Sequence, residues 1–75
     1  MTNERIREIF NSCSNNQMRD VFFDEITVPT PEEAVRPYLT GKDVSCTRED
    51  TPGGSVIFDI EANGLRQRIT LTPVD

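Results

Sequence analysis

Asn63-Gly64 is the dipeptide that a two-residue type I′ turn prefers, because both central positions of that turn need positive φ. Placed there, the turn fixes the pairing of the whole stretch 56–72. Ala62 opposes Leu65, Ile60 opposes Gln67, Phe58 opposes Ile69 and Val56 opposes Leu71, which makes one face of the hairpin largely apolar. The other face opposes Glu61 with Arg66, Asp59 with Arg68 and Ile57 with Thr70. A slip of one residue would move the apolar set to the wrong face and part the acids from the bases. Turn chemistry, alternation and charge all select one register.

The register extends towards the N-terminus. Residues 44–48 read as a strand, followed by Pro52-Gly53-Gly54. A three-residue loop made of a type I turn and a glycine in the left-handed region uses those residue types in that order. It aims Val44 and Cys46 at the apolar face, with Cys46 opposite Ile60, Val44 opposite Ala62 and Arg48 beside Phe58. The run 21–28 is rich in β-branched and aromatic residues and stops at Pro29. Phe22, Ile26 and Val28 share one face of it with Asp24, and Val21 and Phe23 share the other with Glu25 and Thr27.

Two segments read as helices. Ile6, Ile9, Phe10 and Cys13 fall at i, i+3, i+4 and i+7 behind a Thr2 or Asn3 cap, with the poor helix formers 12–16 ending the stripe. Thr30-Pro31-Glu32-Glu33 is a helix start, with Thr30 as cap, Pro31 at the first position and Glu33 completing a capping box. Its buried stripe is Ala34, Val35, Tyr38 and Leu39, broken near Pro37 and ended at Gly41. The expected fold is a single α+β domain over residues 1–75 in the order α-β-α-β-β-β. A mainly antiparallel sheet with a C-terminal three-stranded meander would carry two short helices packed on one face. In that arrangement the last strand is a sheet edge unless 21–28 pairs with it.

Composition narrows function more by exclusion than by assignment. The formal charge is −5, and the basic residues are seven Arg and Lys42. No basic cluster is available for nucleic acid or an anionic membrane, so both are disfavoured as partners. Histidine is absent, which removes the commonest general base and metal ligand together. Cys13 and Cys46 lack the spacing of a zinc or redox motif and read as small buried apolar residues. The polar start is unlike a secretory signal, no apolar run is long enough to span a membrane, and a cytoplasmic protein with reduced thiols is expected.

No catalytic, cofactor or metal residues are assigned, and no cofactor is expected. Paired carboxylates at Asp24-Glu25 and Glu32-Glu33 lack the pattern of a calcium loop. The glycines at 53 and 54 lead into a strand rather than a helix, so they do not form a phosphate cradle. Arg66 and Arg68 face acids across the hairpin. The candidate interaction surface is therefore Asp24, Glu25, Glu32, Glu33, Arg36, Arg66 and Arg68.

The leading functional expectation is a small non-enzymatic protein-interaction or regulatory module of the kind bacteria and phages use. Its partner would be another protein or a second copy docked through a sheet edge. The alternatives are an acidic inhibitor of a nucleic-acid-binding protein, using Asp20, Asp24, Glu25, Glu32 and Glu33, and a small-molecule or metal-binding protein using carboxylates or a thiol. The helix and loop side, 18–42, is the expected seat of function.

Overall fold

The computed structural model describes the backbone of residues 2–13 and 16–74 and the side chains of 2–10 and 19–74. The hairpin that the turn chemistry specifies is present. Strands β4 (Val56–Ala62) and β5 (Leu65–Pro73) pair from Ala62–Leu65 to Val56–Leu71 in the expected register. Asn63 and Gly64 have φ of 55° and 77°, as a type I′ turn requires. Strand β3 (Ser45–Asp50) adds to β4 with Cys46 opposite Ile60 and Arg48 opposite Phe58. Its connection closes as anticipated, with the Gly54 N–H donating to Thr51 O at 3.1 Å and Gly54 at φ 89°.

The N-terminal helix is not formed. Thr2–Cys13 is instead a long strand, β1, paired with β2 (Asn16–Thr27) on one side and with β5 on the other. Among the described residues the sheet is five-stranded, antiparallel throughout, in the order β2-β1-β5-β4-β3. The fold is therefore sheet-dominated, and the expected α-β-α-β-β-β order is replaced by β-β-α-β-β-β. The physical reason lies in β5. A meander that ended on it would leave a row of backbone donors and acceptors unpaired next to the core, whereas β1 satisfies that row from Asn3 to Phe10. The four-residue apolar stripe of the supposed helix could not outweigh those bonds. Laid out as a strand, it sends Ile6 and Phe10 to one face and Ile9 to the other.

The strand from 21, whose partner the sequence leaves open, pairs with β1, so β5 is internal and the edges are β2 and β3. The second helix is short and breaks near Pro37 as expected: α1 (Pro31–Val35) runs into a 3-10 turn (Arg36–Tyr38) that contains Pro37. Its expected capping box is not formed. Thr30 has the extended backbone of a cap, but its side chain makes no capping bond. The Glu33 N–H instead donates to the Thr30 carbonyl at 3.1 Å.

Helix α1 covers one face of the sheet over β4 and β5. Ala34 and Val35 meet Phe58, Ile60, Ile69 and Leu71 there, all buried, with Tyr38 and Leu39 at the margin. Each large aliphatic so buried contributes about 1.5–3 kcal/mol. Among the described residues no helix lies on the opposite face. Cys46 points to the helix side but sits on an edge strand beyond α1, and it is exposed rather than core. The Cys13 side chain lies outside the described residues.

Candidate interaction edge

On the helix side, the β1 residues next to the core are Asn3, Arg5 and Arg7, because Arg5 opposes Leu71 and Arg7 opposes Ile69. Two arginines on an inward face need partners, and each has them. The Arg5 Nε donates to Asp24 Oδ1 at 2.9 Å, its Nη2 to Asp24 Oδ2, and its Nη1 to the Ala34 carbonyl at 3.1 Å. These bonds hold the Asp24 carboxyl below its usual range and raise the Arg5 guanidinium. Arg7 Nε donates to the Oε1 of buried Gln67 at 2.8 Å. The Arg7 guanidinium lies 4.3 Å from the Tyr38 ring centre and 5.8 Å from that of Phe22. A helix with the Ile6, Ile9, Phe10 and Cys13 stripe inward would instead put both arginines on its solvent side. No local signal marks this face, because the residues that make it inward, on β5 and the helix, are distant in sequence.

This stacked layer fixes β1 and, through Asp24 and Phe22, the part of β2 that lies before Ile26, the β2 residue packed against the aliphatic core. The hairpin then continues past the sheet. Strand β1 pairs with β5 as far as Phe10 but with β2 as far as Cys13. The result is a 12-residue edge strand, β2, whose hydrogen-bonded neighbour is β1 alone.

The direction of its free backbone groups follows from the Asn63-Gly64 turn. A two-residue turn is closed by a hydrogen-bonded pair, and bonded and non-bonded pairs then alternate along an antiparallel ladder. Ala62–Leu65 is that closing pair, so the odd-numbered residues of β5 bond β4 and its even-numbered residues bond β1. Carried across β1, the alternation makes Arg5–Asp24 and Arg7–Phe22 bonded pairs. The amides and carbonyls of Arg19, Val21, Phe23 and Glu25 therefore point outward, away from the sheet.

The two edges differ in how they are guarded. Strand β3 has six residues, all exposed, and is tied down by Arg48, which bridges Asp50 at 3.0 Å and Glu32 of α1. Strand β2 carries no proline and no lysine, and its charged residues, Arg19, Asp20, Asp24 and Glu25, flank an uncharged centre at Val21–Phe23. Its two aromatics are the exposed large hydrophobics among the described residues, Phe22 at 53% on the helix side and Phe23 at 69% on the open side. On the open side Phe23 opposes Ile6, which opposes Thr70, which opposes Ile57, a partly apolar row across four strands.

The seven surface residues singled out from sequence are not brought together. Asp24 is on the helix side, held by Arg5, while Glu25 is on the open side of the same edge. Glu32 pairs with Arg48, and Glu33 with Arg36 at 2.6 Å on the helix. Arg68 pairs with Asp59 at 3.0 Å, as the register implied. Arg66 opposes Glu61 without a salt bridge among the described residues and lies over the Phe10 ring, 5.6 Å from its centre. Asp24, Glu32 and Glu33 are thus taken up in separate ion pairs, and Glu25 lies on the opposite face from Asp24.

A groove of about 230 Å³ on the open side is lined by Ser45, Thr47, Asp59, Ile60, Glu61 and Arg66. That is below the roughly 300–1,000 Å³ of ligand pockets. No group of three or more potential metal ligands occurs among the described residues. The exposed Cys46 thiol is pushed up by partial desolvation against the sheet and then by the Asp59 carboxylate, the reverse of an activated nucleophile. No helix among the described residues is long and apolar enough to cross a membrane. Compared with known proteins, the chain matches no family model, no curated protein and no solved structure.

Proposed function

We propose that this chain is a non-enzymatic protein-interaction module that docks through the β2 edge. The observation that carries the reading is a long edge strand with an exposed phenylalanine on each face at its uncharged centre. An added strand would satisfy the outward backbone groups of Arg19, Val21, Phe23 and Glu25, and its side chains would cover Phe22 and Phe23. The Arg5–Asp24 and Arg7–Phe22 contacts hold the edge straight before a partner arrives, which lowers the ordering cost of docking.

The test is a photoreactive phenylalanine analogue at position 23, introduced into the full chain in cells of its native source. A discrete adduct from position 23, with none from the same analogue at Glu49 on β3, is the expected result. A folded protein that gives no adduct at 23 would end this reading.

A further inference from the structure

We infer that the strand received by β2 is β2 of a second copy, antiparallel about a two-fold axis at Phe22, joining two five-stranded sheets into one of ten strands. The inference rests on the interaction reading above and commits it to one partner.

The register decides the matter. Opposed residues of an antiparallel pair point to the same side, so a two-fold axis normal to the sheet must place one residue opposite its own copy. Strand overlap is nearly complete when that residue is Val21 or Phe22. Centred on Val21, the pairing sets Phe22 against Asp20 and Phe23 against Arg19, and no acid meets a base. Centred on Phe22, it sets Phe22 against its copy, Val21 against Phe23 twice, and Arg19 against Glu25 twice. Aromatic, aliphatic–aromatic and opposite-charge pairs are the favourable cross-strand combinations, and each occurs here.

The backbone agrees with that centre. The outward-facing residues are 19, 21, 23 and 25, so Val21–Phe23 and Arg19–Glu25 become bonded pairs and Phe22–Phe22 the closer non-bonded one. The Phe22 rings then meet on the helix side. On the open side, the two apolar rows that run from Phe23 through Ile6 become neighbours.

One opposition is unfavourable in isolation. Asp20 faces Asp24 of the copy on the helix side, where Arg5 already holds Asp24 in a two-toothed pair. Arg19 is engaged with Glu8 at 3.1 Å on its own chain, yet it is 58% exposed and at the rim, where one guanidinium can serve two carboxylates.

The experiment has three arms on the full chain. Sedimentation equilibrium across micromolar to millimolar concentration is expected to give a monomer–dimer equilibrium, abolished by Val21→Lys, which leaves every β1 bond in place. Amide exchange in the dimer is expected to protect Arg19, Val21, Phe23 and Glu25, with that protection lost on dilution, whereas Phe22 and Asp24 stay protected throughout. Arg19→Glu and Glu25→Arg should each weaken association about tenfold, and the double reversal should restore it, which a loss of folding could not mimic. A monomer at all concentrations, a dimer whose outward amides exchange freely, or a double reversal without rescue would overturn the inference. If the chain is monomeric and position 23 still cross-links a different protein, the second copy is excluded and the interaction reading stands.

Discussion

Asn63 does more than turn the hairpin, and removing its side chain tests how the two ends of the fold are joined. Its Oδ1 accepts the Lys42 N–H at 3.0 Å, its Nδ2 donates to the Thr40 carbonyl at 3.4 Å, and its backbone N–H donates to the Lys42 carbonyl at 3.2 Å. The loop that leads from the helix into β3 is thereby fastened to the β4–β5 turn. Asn63→Ala loses both side-chain bonds and places a Cβ residue without local polar support at φ 55°. The left-handed conformation costs about 1 kcal/mol. Two exposed bonds, one of them long, add about 1 kcal/mol together. The expected loss is about 2 kcal/mol, or roughly 8–16 °C in Tm for a domain of this size. Asn63→Asp keeps the acceptor and tolerates the conformation, so it should lose no more than about 0.5 kcal/mol.

Gly41 supplies an internal control. A Cβ built there would lie 2.3 Å from Asn63 Nδ2, and Gly41 has φ 120°. Gly41→Ala must therefore expel the Asn63 side chain as well as strain its own backbone. In an Asn63→Ala background the first of those costs has already been incurred, so the two substitutions should fall short of additivity by about 1 kcal/mol. Urea unfolding followed by circular dichroism, with equal m-values, is the measurement. An Asn63→Ala variant within about 0.5 kcal/mol of the parent, or strict additivity with Gly41→Ala, would refute the reasoning.

Two further expectations concern charge and the thiol. Asp24 has its folded pKa lowered by the hydrogen bonds from Arg5, so its contribution is fully present above the unfolded carboxylate value and is lost as pH falls through the folded one. Stability should therefore decline below about pH 4, and Asp24→Asn should flatten part of that decline. Because the carboxylate is half exposed, the effect at neutral pH should stay within about 1 kcal/mol. Acid titration of the unfolding midpoint checks this, and identical slopes for the two proteins would contradict it. Cys46 should react with a maleimide in the folded state, since it is exposed, but more slowly at neutral pH than a free thiol because its pKa is raised. Complete protection until unfolding would restore the core assignment that the fold removed.

Where the sequence was legible, the information was local and redundant. The Asn63-Gly64 turn, the Pro52-Gly53-Gly54 loop and the apolar alternation of 56–72 each specify register independently, and all three agree with the pairing found. The break at Pro37 was equally local. Strand β1 was not legible because its partners are distant in sequence. Glu4, Glu8, Ile6 and Phe10 alternate with Arg5, Arg7 and Ile9, a pattern that is neither a clean strand nor a clean helix until β2 and β5 flank it. Arginine on an inward face violates the usual reading of polar residues, and it is tolerated here through Gln67, Tyr38 and the Ala34 carbonyl, all more than 25 residues from Arg5 and Arg7 in sequence.

The same long-range requirement moves the open edge away from where the meander alone would put it. A meander read alone ends on β5, so its last strand looks free. Once β1 occupies that side, the unpaired row of backbone groups is transferred outward to β2. Antiparallel addition never removes an open edge; it moves the edge to the last strand added, unless the sheet closes on itself. What matters for function is therefore which residues the chain leaves on that final strand. On β3 it leaves Arg48, Glu49 and Asp50 with a tether to the helix. On β2 it leaves Val21, Phe22 and Phe23 between an arginine and a glutamate. A strand that needed only to be inert would gain solubility from lysine at 21 or 23 at no cost to its bonds with β1. That Val21→Lys change separates an edge kept open for a partner from one merely left over: if it raises solubility and abolishes every association, the aromatics serve docking, and if it changes neither, they do not.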